Sequence, residues 1–324
     1  MDKEKLLEVT EQFKDKKILV IGDVMLDKYI WGEVSRISPE APVQVVNVLK
    51  ESYAPGGAAN VASNIAALGG KTFMVGIVGK DEANKILLDE LQKRDINVDG
   101  IFEDNTKPTI QKVRVVGRGQ QLLRFDYEKK GYVDGNAELN FLSFIEKNIE
   151  NFDAIAISDY AKGVITKNLM EKLKEICKGK EKIIIVDPKP KHKDFYKNVT
   201  LVTPNHTEAH EILNIEMGSE DDIFVGKKLI ETFKTPVLMT RGEKGMSLFE
   251  FNGEITNIPT KAKEVYDVTG AGDTSVATIA LSLASGASIK EAAILANHAA
   301  GITVGKVGTS TVSIGELKKN IENE

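Results

Sequence analysis

The densest chemical signal in the chain is Asp267-Val268-Thr269-Gly270-Ala271-Gly272-Asp273, which runs directly into an apolar helical stretch ending near Ala284. Small residues let backbone come close to a ligand. At a helix N-terminus the amide N–H groups point outward and the dipole favours anions. Gly270, Ala271 and Gly272 therefore predict an anion hole suited to the charge that develops on a transferring phosphoryl group. Asp273 falls in the first turn, where a carboxylate can accept the proton of an attacking hydroxyl. A Gly-rich turn closed by an ordinary N-terminal acid fits the same residues, and this run alone does not separate the two. It is not a P-loop or a dinucleotide fingerprint, because neither Gly-x4-Gly-Lys-Ser/Thr nor Gly-x-Gly-x-x-Gly occurs in the chain.

Such a helix needs a scaffold that presents its N-terminus. Short β-rich apolar runs at 17–22, 71–79, 152–158, 182–187, 199–203 and 236–240 alternate with helical stretches such as 57–68, 81–94 and 166–178. This alternation predicts an α/β fold with a mostly parallel sheet and helices on both faces. Ligands bind such sheets beyond the carboxyl ends of the strands. Asp23, Asp159, Asp187 and Asn205 fall there. Two regions break the rhythm. Residues 29–49 lack a helical period, and 109–127 reads as a hairpin turning at Gly117-Arg118-Gly119. They form either a small separate sheet or edge strands of the main one.

The chain has 324 residues, 42% hydrophobic and 28% charged, with a net charge of −5. That length suffices for a large buried core, and an acidic chain does not bind nucleic acid through its overall field. Cys177 is the single cysteine, so no intrachain disulfide can form and a reducing compartment is expected. The charged N-terminus has no signal-peptide stretch, and no run reaches membrane-spanning length. These features together predict a cytoplasmic protein without membrane or nucleic-acid partners. His206 and His210 stand in an H-x-E-x-H spacing, which is not the metalloprotease order and lacks a third ligand, so zinc is not expected.

Three motifs in order give a resemblance. Asp267 to Asp273 resembles the C-terminal signature of the ribokinase-like (PfkB) carbohydrate kinases. Gly56-Gly57-Ala58-Ala59-Asn60 is similar to their N-terminal signature, and Asn205-His206-Thr207-Glu208 to their N-x-x-E motif. The resemblance runs from about residue 16 to the end. It implies one ribokinase-like domain over 1–324, with a small β-sheet lid from about 28–50 and 109–127. Segments 22–29, 36–43, 158–163 and 187–189 are similar to the D-glycero-β-D-manno-heptose 7-phosphate kinases. That activity occurs as a separate enzyme or as half of a bifunctional one, on the way to ADP-heptose and the lipopolysaccharide core. The chain ends soon after the kinase signature, so the stand-alone kinase or a separate kinase half is expected.

The resemblance implies transfer from ATP to the anomeric hydroxyl, with Asp273 as base and Gly270, Ala271 and Gly272 holding the γ-phosphoryl group. Asp23, Asp27, Gly56, Gly57 and Asn60 are expected against the sugar. A sugar that already carries phosphate needs a second anion site, for which Arg124, Lys162, Lys189 and Arg118 are candidates. Asn205 and Glu208 are expected to organise Mg²⁺, through water in the case of Glu208. Thr240, Gly242 and Gly245 suit a nucleotide loop or a plain hairpin turn, and Asn297 with His298 an adenine pocket. Asp267 and Thr269 correspond to a monovalent-cation loop, K⁺ in activated members, or to a hydrogen-bonded turn. A homodimer formed through the lid is expected. A kinase of another sugar phosphate or nucleoside, and a sugar-binding regulator without catalysis, are the alternatives.

Overall fold

The run at 17–22 forms β1 (Lys17–Gly22), and its alternation shows how the sheet is buried. Ile18 and Val20 enter one apolar core, and Leu19 and Ile21 enter another on the opposite face. A strand covered on both faces reads as a continuous apolar run, as this one does. The structure, a computed structural model, describes residues 3–262, 264–306, 308 and 310–323.

The remaining strands are β2 (Val24–Ile37), β3 (Gln44–Gly57), β4 (Lys71–Gly79), β5 (Asn97–Asp104), β6 (Ile110–Gly117), β7 (Gln120–Tyr127), β8 (Ala154–Ser158), β9 (Ile183–Asp187), β10 (Leu201–Val202), β11 (Val237–Thr240), β12 (Met246–Phe249) and β13 (Ile255–Ile258). The helices are α1 (Lys3–Glu11), α2 (Ala58–Ala67), α3 (Glu82–Gln92), α4 (Gly135–Asn148), α5 (Lys167–Cys177), α6 (His206–Leu213), α7 (Asp222–Phe233), α8 (Ala271–Ala284), α9 (Ile289–Thr303) and α10 (Ile314–Glu322).

The main sheet has the order β13-β12-β11-β10-β9-β8-β1-β4-β5, antiparallel only at β11/β12 and β12/β13. Side chains from α1, α2, α3, α8, α9 and α10 cover one face, and those from α4, α5, α6 and α7 the other. Helix α8 is buried along most of its length against α2 and α9, which explains an apolar sequence with no polar face. At the carboxyl ends of β1, β8 and β9, residues Asp23, Asp159 and Asp187 come together beside the α8 N-terminus.

Of the two readings of the irregular regions, the separate sheet is the one observed, in the order β3-β2-β6-β7. It begins earlier than expected, because β2 and β3 continue the chain from Val24 to Gly57. Its hairpin turns at Arg118 and Gly119, both with positive φ (51° and 77°), which matches the twist of the flanking strands. Directly opposite residues share a face, so Asp27, Lys112 and Asp126 lie together, as do Tyr29, Arg114 and Arg124. The other face carries Leu26, Ile30, Val113, Val115, Leu123 and Phe125. This small sheet is thus amphipathic, with one charged face and one mainly apolar face that also carries Lys28 and Gln111.

Candidate active site

Asp273 lies in the first turn of α8, behind Gly270, whose φ of 83° is left-handed and favours glycine. No side chain caps this helix, so its first amides are left for a ligand. A side chain at Gly272 would point into open space, at the junction of two cavities that both border this residue. Asp273 is buried, and each of its oxygens has one donor: Asn60 Nδ2 to Oδ2 at 2.7 Å and the Tyr160 hydroxyl to Oδ1 at 2.8 Å. Burial raises its carboxyl to about 6, against the Asn60 and Tyr160 hydrogen bonds and Lys189, while the charge of Asp27 adds to the rise. An acid that titrates near neutrality suits a general base.

Asn60 reaches Asp273 because α2 begins Ala58-Ala59-Asn60, small enough for α8 to pack closely, and Thr274 Oγ1 donates to Asn64 Oδ1 at 2.9 Å one turn on. On the lid side, Asp27 is buried and accepts Arg114 Nη1 at 2.5 Å. Gly56 lies directly beside it, and a Cβ there would stand 2.5 Å from Asp27 Oδ2. Glycine at 56 therefore leaves room for this carboxylate. Gly57 ends the strand at φ 56°, beside the Asp23 carbonyl.

Asp23 is not positioned as a sugar acceptor. It is fully buried, with Oδ2 taking the amides of Tyr160 (2.9 Å) and Lys162 (3.0 Å) and Oδ1 that of Val164 (3.1 Å). Burial raises its carboxyl despite these bonds, and Asp159 adds to the rise. A hydroxyl that displaced those amides would strand them in the interior. Asp23 instead shapes the 160–164 turn. Asp23→Ala should cost roughly 3–5 kcal/mol in a urea melt, because three buried donors lose their acceptor. A loss below about 1 kcal/mol together with collapsed sugar affinity would return Asp23 to the substrate.

The four basic candidates diverge. Arg124 grips Asp126 bidentately at 2.9 and 2.8 Å on the charged face of the lid and remains half exposed. Lys162 pairs with Glu128 at 2.6 Å, and Glu128 also acts on Arg124, so these two cations share one neighbourhood. Lys189 is elsewhere. It ion-pairs with Glu208 and borders the cavity that holds Asn205, Gly270 and Asp273, away from Arg124 and Lys162. Arg118 donates to the Val34 carbonyl at 2.7 Å at the tip of the hairpin and serves the lid itself.

At the start of α6, N-x-x-E is also a capping box: Glu208 N donates to Asn205 Oδ1 (2.9 Å) and Asn205 N to Glu208 Oε2 (3.0 Å). The box leaves Glu208 Oε1 facing Lys189 in the cavity. Asn205 also bridges to Thr240 across the sheet. Thr240, Gly242, Gly245, Ala271, Gly272 and Asn297 border a second, mainly apolar cavity of about 450 Å³. Asn297 donates to the Pro259 carbonyl at 2.7 Å, whereas His298 turns away to Asn320 at 2.7 Å. Asp267 accepts Thr269 N (2.9 Å) and Gly308 N (3.0 Å). Burial would raise its carboxyl, but these bonds hold it below the usual range. His206 binds Asp222 at 2.8 Å, and His210 binds the His206 carbonyl at 2.8 Å.

A family model described as pfkB family carbohydrate kinase matches residues 15–315. The chain belongs to the pfkB family of carbohydrate kinases. It is 43% identical over 314 residues to a protein named Bifunctional protein HldE from Desulfatibacillum aliphaticivorans, covering 96% of this chain and 64% of the relative. Against a protein of the same name from Geobacter metallireducens the identity is 44%, over 94% of this chain and 62% of that one. The chain therefore spans less than two thirds of these curated relatives. Among solved structures, Escherichia coli phosphofructokinase-2 with potassium gives a TM-score of 0.77 at 20% identity, covering 95% of this chain and 98% of that one. Arabidopsis thaliana ribokinase with ribose and ATP gives 0.71 at 20%, covering 95% and 99%. These two show the ribokinase-like fold. Among the described residues no helix is long and apolar enough to cross a membrane.

This pfkB kinase is an enzyme that transfers phosphate to a sugar hydroxyl. The motifs assign no role to three residues of this site. Tyr160 touches Asp273 from a turn whose role appears only in three dimensions. Asp187 borders the cavity that holds Lys189, Asn205 and Asp273, and among the described residues no donor engages its carboxylate. Burial and Glu208 push Asp187 well above the usual carboxylate range. Arg114 could have been found from strand parity, since it lies opposite Arg124 on the face of Asp27.

Proposed function

We propose that this kinase transfers the γ-phosphoryl group of ATP to the anomeric hydroxyl of D-glycero-β-D-manno-heptose 7-phosphate, giving the 1,7-bisphosphate on the way to ADP-heptose. The observation that carries this reading is the cationic lid face beside the base. Arg114 reaches Asp27 at 2.5 Å, Arg124 stands directly opposite Arg114, and Lys162 lies near through Glu128. Each arginine already meets a carboxylate, Arg114 that of Asp27 and Arg124 that of Asp126, and with Lys112 and Lys162 the face sets four cations against Asp27, Asp126 and Glu128. A sugar that presents its anomeric hydroxyl to Asp273 would extend toward this face, where a distal phosphate would meet the Arg114 guanidinium, while Arg124, already engaged by Asp126, adds charge.

In the reaction, Asp273 accepts the proton of the anomeric hydroxyl as the new oxygen–phosphorus bond forms and the bond to ADP breaks. The amides around Gly270 to Gly272 stabilise the transferring group, and Lys189 adds positive charge on the same side. Phosphoryl transfer depends chiefly on such positioning and electrostatics. The apolar cavity bordered by Thr240, Gly242, Gly245 and Asn297 suits adenine. Glu208 and Asp187, two carboxylates on one cavity of which Asp187 has no donor among the described residues, form an oxygen donor set suited to Mg²⁺. Bound there, the ion would neutralise phosphate charge. Asp267 and Thr269 remain the proposed loop for a monovalent cation, tested by comparing rates in K⁺ and Na⁺.

The deciding assay measures ADP release over a panel of free and phosphorylated sugars, with the product phosphate located by ³¹P NMR. Turnover of unphosphorylated sugars alone would sink the distal-phosphate reading.

We also propose a homodimer through the apolar face of the lid, acting in the cytoplasm. Leu123, Phe125 and Tyr127 are 58%, 37% and 50% exposed there, a continuous apolar patch on one sheet face. Leu123→Lys should turn a dimer into a monomer in light scattering. A dimer that survives this change would place the interface elsewhere.

A further inference from the structure

The turn at 158–164 is held more firmly than a surface connection requires. Asp23 takes three of its amides. The fully buried Asp159 accepts Ala161 N at 2.6 Å through Oδ1, while its Oδ2 meets His192 Nδ1 at 2.6 Å and the Tyr196 hydroxyl. His192 Nε2 in turn lies 2.9 Å from the Tyr132 hydroxyl. Ala161 sits at φ 55°, a backbone state that persists in a non-glycine residue only where its surroundings over-determine it. Two buried carboxylates, a histidine and two tyrosines thus fix seven residues. From that turn the Tyr160 phenol reaches the base, its hydroxyl 2.8 Å from Asp273 Oδ1. Its ring also carries Lys189, with Nζ 5.4 Å from the centroid.

We propose that Tyr160 is a positioning residue for Asp273: its hydroxyl fixes the orientation of the carboxylate toward the acceptor sugar and keeps that carboxylate ionised and ready to take the proton. The proposal rests on the reading of Asp273 as the base. With Asn60 on one oxygen and Tyr160 on the other, the carboxylate cannot rotate without losing a bond. Each oxygen keeps a further lone pair for the acceptor. Both donors favour the charged form over the protonated one. The charged and titratable groups that face Asp273 are Asp27 from β2, Asp187 at the end of β9, Lys189 just after it, and Tyr160 itself. Burial and Asp27 raise the Asp273 carboxyl, Asn60, Tyr160 and Lys189 lower it, and the balance lies at about 6. Burial, then the charges of Asp273 and Asp187, holds the phenol well above its ordinary value, so it remains a donor throughout the working range.

Tyr160→Phe removes the donor and keeps the ring under Lys189. The acid limb of kcat/KM should move up by about one pH unit. The loss should be about tenfold near pH 6 and within about threefold near pH 9. A purely structural role predicts an even loss at every pH and an unmoved limb, which would overturn the proposal. A second measurement needs no turnover. In protein labelled with ¹³C at aspartate Cγ, the signal that disappears in Asp273→Asn should titrate about one unit higher in Tyr160→Phe. An unshifted titration overturns the proposal whatever the rates do. If the wild-type enzyme phosphorylates no sugar phosphate, the substrate reading fails and this titration still decides the role of Tyr160. Should Tyr160→Phe not fold, fluorotyrosine incorporation keeps the shape and strengthens the donor, and it must move the titration down. No movement there would equally overturn the proposal.

Discussion

Asp273→Asn should lower kcat by roughly 10³-fold, within the 10²–10⁴ that a positioned general base supplies, while ATP and sugar affinities change by no more than about threefold. The anion hole, the nucleotide cavity and the lid contacts are all made by other residues, so binding has no reason to fail. Stability separates this outcome from simple damage. The carboxyl titrates at about 6 in the fold, against an ordinary value of 3.8. Folding therefore favours its protonated form. That contribution is fully present below about pH 4, is lost as pH rises through about 6, and leaves the ionised carboxylate costing at most roughly 3 kcal/mol above that. Asparagine removes the charge. Its amide then meets a donor at Asn60 or Tyr160, which offsets part of the gain, and the Tyr160 hydroxyl can turn to accept. At pH 8 the melting temperature should hold or rise. Near-normal turnover would show that Asp273 is not the base, and a large drop in melting temperature would show that the lost activity is lost fold.

The sequence carried much of this site because its parts are local. Gly270 to Asp273 form one helix start, and Asn205 to Glu208 form one capping box, so spacing along the chain equals spacing in space. Strands β1, β4 and β9 were legible for a related reason: buried on both faces, they appear as unbroken apolar runs. What failed to show depends on long-range pairing. Strand β5 reads Asn-Val-Asp-Gly-Ile-Phe-Glu-Asp, an edge strand paired only to β4 and carrying four polar residues, so its apolar signal is thin. Asp23 looks like a ligand residue because it follows a central strand. Only the return of the chain at 160–164, some 140 residues later, shows that its oxygens are already taken. The place of Lys189 is hidden for the same reason, since its partner Glu208 arrives from helix α6. Arg114 is an unremarked basic residue in a strand until the register places Arg124 across from it and Asp27 beside it.

That register makes Arg114 the most informative residue for the choice of sugar. Arg114→Ala should lower kcat/KM for heptose 7-phosphate by roughly 10³-fold, within the range for losing one partner of a buried charged contact. Its effect has two sources. One is the lost grip on the distal phosphate. The other is Asp27, which accepts Arg114 Nη1 at 2.5 Å and would be left buried without that partner. The second source acts on any sugar that reaches Asp273, whether or not it carries phosphate. The ratio of kcat/KM for the phosphorylated and free sugars cancels it, and that ratio should fall by roughly 10²-fold. Arg124→Ala should lower the same ratio by only about tenfold, because Arg124 is half exposed and already spends its fork on Asp126. Arg114→Lys keeps the charge but not the planar fork, so it should recover part of the ratio and not all of it. If Arg114→Ala slows both sugars equally, the arginine serves only to hold Asp27. The cationic face of the lid would then have to be explained by something other than a phosphate on the substrate.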